Sequence, residues 1–301
     1  PRLQGADEAR APAPPARKGA GRRQMKLSLS EISTVNASFE EDVTAYAAAG
    51  FDGIGIWEMK LPPDDHANLS LLREAGLAVA SCIPTVPSIL PLLLPGMEGP
   101  PSTNERIATL CASMRRLAAY EPESVLCLTG PVGDLEPAEA RRLVVEGLRE
   151  IAAAARESGV RFGLEPAHPG QHETVSFVNT IADALALLEE AGLPDVGLMV
   201  DTYNLWHERP EAVAAIVDRV TGVHVADEPP DLTRTDRVLP GDGGTRSAEH
   251  VRALVEAGWD GFLDVEIFST PDRFWALPVD EAARRAYAAA IALGENAQTV
   301  P

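Results

Sequence analysis

Eight short apolar runs alternate with longer segments of helical spacing, and this alternation predicts a single α/β domain of the (β/α)₈ barrel type. Three observations carry the prediction. The first is the runs themselves: KLSLS (26–30), DGIGIW (52–57), LAVASCI (77–83), SVLCLT (124–129), VRFGLEP (160–166), VGLMVDT (196–202), TGVHVAD (221–227) and FLDVEI (262–267). They are short, rich in β-branched residues and bounded by glycine or polar residues, as buried parallel strands are. The second is what lies between them. NERIATLCASMRRLAAY, PAEARRLVVEGLREIAAAARESG and SAEHVRALVEAG repeat apolar residues at i, i+3 and i+4, the period of a helix with one buried face. FEEDVTAYAAAG follows Ser38 as N-cap and ends at Gly50; Pro137 sits in the first turn of its helix. NTIADALALLEEAG, PEAVAAIVDRV and VDEAARRAYAAAIALG complete the series, and DDHANLSLLREAG has the weakest helical signal. The third is a recurrent phrase, a helix ending at Gly and turning at once into a strand, in AAAGFDGIGI, REAGLAVAS and VEAGWDGFLDVEI. Such helix-to-strand turns belong to barrel units. An open doubly wound sheet would carry a glycine fingerprint after its first strand, and none is present.

Composition narrows the function. The chain has 301 residues and 45% hydrophobic residues, enough for one large core. Its 45 acidic and 26 basic residues give a formal charge of −19. Nucleic-acid binding needs Lys and Arg to displace counterions, so no nucleic-acid partner is expected and a small-molecule substrate is. No apolar run approaches the ~20 residues needed to span a bilayer, so no membrane partner is expected. Cys82, Cys111 and Cys127 show no paired spacing and read as free thiols, which suits a cytoplasmic location. Residues 1–24 are rich in Pro, Ala, Gly and Arg, lack an apolar segment, and read as a disordered N-terminal extension; the barrel is expected over 25–301. The proline-rich apolar stretch from Pro84 to Thr103 is long for a loop and reads as a cap on the site or a contact with a second copy or partner subunit.

In a barrel of this type the reactive groups stand at the C-terminal ends of the strands. The last four predicted strands end, in order, with Glu165, Asp201, His224 and Glu266. A carboxylate closing an apolar strand is costly unless it is paired or bound to a metal, and four ligand-type groups on consecutive strand ends converge on one point. Three carboxylates and an imidazole suit one hard or borderline divalent ion: Mn²⁺ first, then Mg²⁺, Co²⁺ or Zn²⁺. Such an ion polarises a substrate carbonyl, while Glu165 and Glu266 are placed to move a proton at carbon. Around them, Arg237 is expected to hold a substrate oxygen. His168, Asn204, His207, Trp57 and Glu58 are candidate substrate contacts, and Asp227 is expected to orient His224 or the loop after it. His66, His172 and His250 read as surface or loop residues and Trp259 as packing.

LEPAHP, VGLMVDTYNLWHERP, VHVAD, DRVLPGDGG and AGWDGFLDVEIFS together resemble the sugar phosphate isomerase/epimerase family, the xylose isomerase-like TIM barrels. The resemblance runs from Met25 to about Gly294 and is densest in the C-terminal half. It implies a metal tetrad at Glu165, Asp201, His224 and Glu266, a proton shuttle by the two glutamates, and substrate binding by Arg237. Epimerases of the family carry His three residues after the Asp, where this sequence has Asn204. The family also holds inosose dehydratases, hydroxypyruvate isomerases, dehydroshikimate dehydratases and metal-binding subunits of C-glycoside-cleaving enzymes. The expected activity is a metal-dependent sugar or polyol isomerase or epimerase, with a lyase of the same family as the alternative.

Overall fold

A computed structural model describes residues 25–94, 96–229 and 236–298. The predicted N-terminal extension, 1–24, lies outside the described residues. Eight parallel strands close on themselves in chain order. They are β1 (Lys26–Ser30), β2 (Gly53–Trp57), β3 (Ala78–Ile83), β4 (Ser124–Cys127), β5 (Phe162–Leu164), β6 (Gly197–Asp201), β7 (Val220–Val225) and β8 (Phe262–Val265), with β1 paired to β8 through Lys26–Phe262 and Leu29–Val265. Each falls inside or within one residue of its predicted run, and the prediction of a barrel holds. The helices are α1 (Phe39–Ala49), α2 (Asp65–Ala75), α3 (Thr103–Leu117), α4 (Pro137–Ser158), α5 (Ile181–Glu190), α6 (Pro210–Ala214), α7 (Ser247–Ala257) and α8 (Val279–Gln298).

Local chemistry explains the boundaries. Ser38 and Glu41 form a reciprocal capping box at the start of α1, and Gly50 ends it in the left-handed conformation. The weakest prediction, α2, forms with Asp64 as its cap. The helix expected over 210–220 is shorter than its pattern: α6 stops at Ala214, and a 3₁₀ turn at Val217–Arg219 leads into β7.

The main core lies between barrel and helices. A smaller apolar cluster, including Trp57, Ile83, Leu92, Leu126, Leu128 and Val175, sits at the C-terminal mouth. The barrel interior is lined by small and polar residues. Ser124 donates to Thr221 at 2.9 Å, and Gly55 leaves room for a carboxylate: a Cβ there would come within 2.2 Å of Asp264 Oδ2. His250, expected on the surface, is fully buried, because its ring nitrogen Nε2 lies 2.9 Å from the Glu208 carbonyl and ties α7 to the loop after β6. No helix among the described residues is long and apolar enough to cross a membrane.

Candidate metal centre and its apolar cavity

The four strand-end residues meet at the barrel mouth. Asp201 is the last residue of β6 and pairs in register with His224 of β7, which pairs with Asp264 of β8. Glu165 and Glu266 each follow their strand by one residue, and their backbone amides continue the ladder to Cys127 and Val225. All four are buried. One ligand atom each from Glu165, Asp201 and His224 lies within 4.8 Å of the other two. His224 Nδ1 is 3.7 Å from Glu165 Oε1 and 3.4 Å from Glu266 Oε2, and aligns with neither as a hydrogen bond.

The turn after β6 divides the work of Asp201 between its two oxygens. Oδ1 accepts from the backbone of Tyr203 (2.8 Å) and Asn204 (3.4 Å), which leaves Oδ2 facing Arg237 Nη1 at 2.9 Å. Asn204 donates its side-chain amide to Glu165 Oε1 at 3.1 Å. Arg237 Nη1 also reaches Glu266 Oε2 at 2.9 Å, and the guanidinium is sandwiched between the Tyr203 and Phe268 rings at 4.6 and 4.9 Å. Its cation therefore lies against two of the four predicted ligands.

Titration follows from this crowding. Burial disfavours a charged imidazole, but Glu266, Glu165 and Asp264 outweigh it and push His224 up to about 10. Burial raises Glu165 to about 7, against the lowering pull of His224. Burial likewise discourages charge on Arg237, but Asp201 and Glu266 prevail and hold it protonated beyond its usual range. These are carboxylates that draw in every available cation. With the unpartnered His224 Nδ1 and the oxygen-rich donor set, this arrangement fits one divalent ion.

The other candidates divide. Trp57, Glu165, Asn204, Arg237 and Glu266 line a cavity of about 250 Å³ above the cluster. Trp57 shows it a carbon face, since its indole N–H is donated to Ser30 Oγ at 3.0 Å. Glu58 is spent elsewhere: its carboxylate accepts from the Thr85 amide (2.9 Å) and Ser113 hydroxyl (2.6 Å), with Arg116 at 3.5 Å. His168 orders its own loop by accepting from the Gly170 amide and stacking on Tyr203. His207 is half-buried against Trp206, outside the cavity lining. Asp227 holds the loop after β7 through the Gly241 amide, Thr245 and Ser247, and does not orient His224.

Asp264 stands behind His224 instead. Its Oδ2 lies 3.8 Å from His224 Nε2 and accepts from Ser81 at 2.8 Å, and burial raises it to about 6. Sequence reasoning passed over Asp264, Phe268 and Gln171. Two carried a signal: Asp264, Glu266 and Phe268 are spaced by two, so all three face inward if one does.

The segment from Pro84 to Thr103 supplies Pro87, Leu92, Leu94 and Met97 to the cavity wall; its Pro95 lies outside the described residues. The fully buried Arg106 pins its backbone, donating to the carbonyls of Ser88, Glu98 and Pro100 and to Ser88 Oγ.

Comparison with known proteins agrees with this construction. Over 272 residues the chain is 27% identical to the 3-dehydroshikimate dehydratase of Pseudomonas aeruginosa, an alignment covering 84% of this chain and 39% of that protein. It thus spans well under half the length of that relative. It is 24% identical over 279 residues to the inosose isomerase of Bacillus velezensis, covering 87% of this chain and 94% of that one. Among solved structures, an IOLI protein with a bound zinc atom superposes with a TM-score of 0.74 at 22% identity, covering 92% of this chain and all of that one. The sequence profile of the xylose isomerase-like TIM barrel matches residues 43–292, which takes in every strand from β2 to β8 and all four converging residues, and the chain belongs to that family.

Proposed function

We propose that the protein is a metal-dependent isomerase or epimerase of a sugar or polyol, with Glu165, Asp201, His224 and Glu266 as metal ligands. The observation that carries this reading is the placement of two buried glutamates beside the same imidazole nitrogen, at 3.7 and 3.4 Å from His224 Nδ1. A divalent ion held there, Mn²⁺ or, as in the zinc-bearing structural relative, Zn²⁺, would polarise a substrate carbonyl and acidify the neighbouring C–H. The protein's own residues do the rest. Glu165 takes the proton from carbon, and Glu266 returns one from the opposite side. Asn204 fixes the Glu165 carboxylate through its amide. Arg237 leaves its contact with Asp201 and Glu266 when a cation replaces it, and offers its donors to a substrate oxygen.

Exchange of substrate C–H with deuterated water tests the reading. Glu165→Gln keeps an oxygen ligand, so it should retain metal while losing exchange by about 10²–10⁴-fold; wild-type exchange in this variant would remove Glu165 from the chemistry.

A lyase is the second reading. It is favoured by the dehydratase relative matched over 84% of this chain and by Asn204 where epimerases of the family carry His. The same proton abstraction followed by loss of a β-hydroxyl would release water. Appearance of a conjugated enone in the ultraviolet, in place of simple exchange, would select it.

A further inference from the structure

The lining of the cavity above the carboxylates combines two chemistries. Glu165, Asn204, Arg237 and Glu266, with Gln171, supply its polar groups. Trp57, Leu92, Met97, Leu128, Val175 and Phe268 supply a carbon wall, with Phe268 packed against the Arg237 guanidinium. Polar residues near that wall are turned away from it. Thr129 donates to the Gly130 carbonyl at 2.8 Å, Ser88 to the Leu90 carbonyl at 2.8 Å, and Ser176 is engaged with Thr129 at 2.7 Å and the Val178 backbone.

This wall is not an outer face awaiting a protein. Leu92 is 1% exposed, Trp57 5%, Leu128 8% and Val175 9%, so the chain itself already encloses it. At about 250 Å³, the space takes one small molecule. The loop that supplies Leu92 and Met97 is also preformed, since Arg106 holds it through three hydrogen bonds to backbone carbonyls and one to Ser88 Oγ.

A bare sugar carries a hydroxyl on nearly every carbon. Set in this cavity, hydroxyls that face the carbon side chains would lose water and gain no partner. An apolar group of similar size would release ordered water from both surfaces.

We infer that the substrate is amphiphilic: an oxygen-bearing, enolisable head seated against the carboxylates, joined to an apolar aryl or carbocyclic group that fills the space beneath the loop over residues 84–102. The identity of the head rests on the enolising reading proposed above; the apolar group rests on the wall alone.

Two probes sharing one head separate these parts: 1,3-dihydroxyacetone and its mono-benzyl ether. Calorimetry on the full chain with Mn²⁺ supplied should show the benzyl ether binding at least ten-fold more tightly, about 1.4 kcal/mol. Val175→Thr and Met97→Gln, mild changes in the wall, should each shrink that preference by weakening the ether more than dihydroxyacetone. Equal or weaker binding of the ether, or a preference untouched by both variants, overturns the inference. Deuterium exchange on the same pair reports on the head: a binding preference without exchange on either probe would retain the apolar subsite and reject the enolising reading.

Discussion

Two clusters of buried acids stand at the same end of the barrel, and they are satisfied in opposite ways. At β1 and α1, Glu31 and Asp42 are fully buried. Lys60 forms an ion pair with Asp42, lies 4.0 Å from Glu31, and donates to the carbonyls of Glu31 and Thr34. Thr34 donates to Asp42 at 2.7 Å and meets the Tyr46 hydroxyl, and Glu31 accepts from the Trp57 amide at 2.8 Å. Neither acid reaches the cavity. This cluster brings its own cation and hydroxyls, and it ties β1, α1 and β2 together. The cluster at β5 to β8 is acid-rich around a histidine, opens on a cavity and, among the described residues, draws on one arginine shared between two carboxylates. Buried charge is therefore not the mark of a site. The mark is buried charge left with unused coordination next to space.

Removing the cation of the closed cluster should have the largest effect. Lys60→Met leaves two buried acids without their counter-charge and should cost about 3–5 kcal/mol in denaturant unfolding, with no change in metal stoichiometry; a change within 1 kcal/mol would mean that the first cluster is less closed than its contacts imply. Removing the cation of the open cluster should do something different. Arg237→Met frees Asp201 and Glu266 for an external ion, so the rise in melting temperature on adding Mn²⁺ should exceed that of wild type; tenfold tighter binding adds about 1.4 kcal/mol at saturating ion. An unchanged or smaller metal-induced shift would show that Arg237 does not compete with the ion.

The smallest effect concerns pH. Burial raises Glu31 well above its ordinary value, partly offset by Lys60. The folded protein thus keeps this proton where the unfolded chain has released it, and wild-type stability falls as pH rises above the usual glutamate range near ~4.3. Glu31→Gln lacks this dependence, so the variant should gain stability relative to wild type between pH 5 and pH 8. A stability difference that is flat across that window would contradict the assignment.

Sequence alone carries the barrel because apolar runs and helical spacing are local properties, and each strand needs both faces covered. The four converging residues are legible for the same reason: polar groups that close apolar strands have one place to point. What sits beside them depends on long-range contacts. Glu58 has the same strand-end position as Glu165, yet Thr85, Ser113 and Arg116 arrive from distant segments to absorb it. Asp227 was expected to orient either His224 or the loop after it, and the contacts of Gly241 and Thr245 select the loop. Asp264, which stands behind His224, was hidden within a strand and depends on the absent side chain of Gly55 across the barrel. The loop after β3 announces itself by its length and prolines, but its role as a wall depends on Arg106 in α3.

If the open cluster is a metal centre and the closed one is not, only the open one takes up an ion. Equilibrium dialysis against Mn²⁺ or Zn²⁺, followed by metal analysis, tests this most directly on three proteins: wild type, Asp201→Asn and Asp42→Asn. The prediction is one ion per chain in wild type and in Asp42→Asn, with occupancy lost or weakened at least tenfold in Asp201→Asn. Equal binding by all three, or no ion retained by wild type, would contradict it.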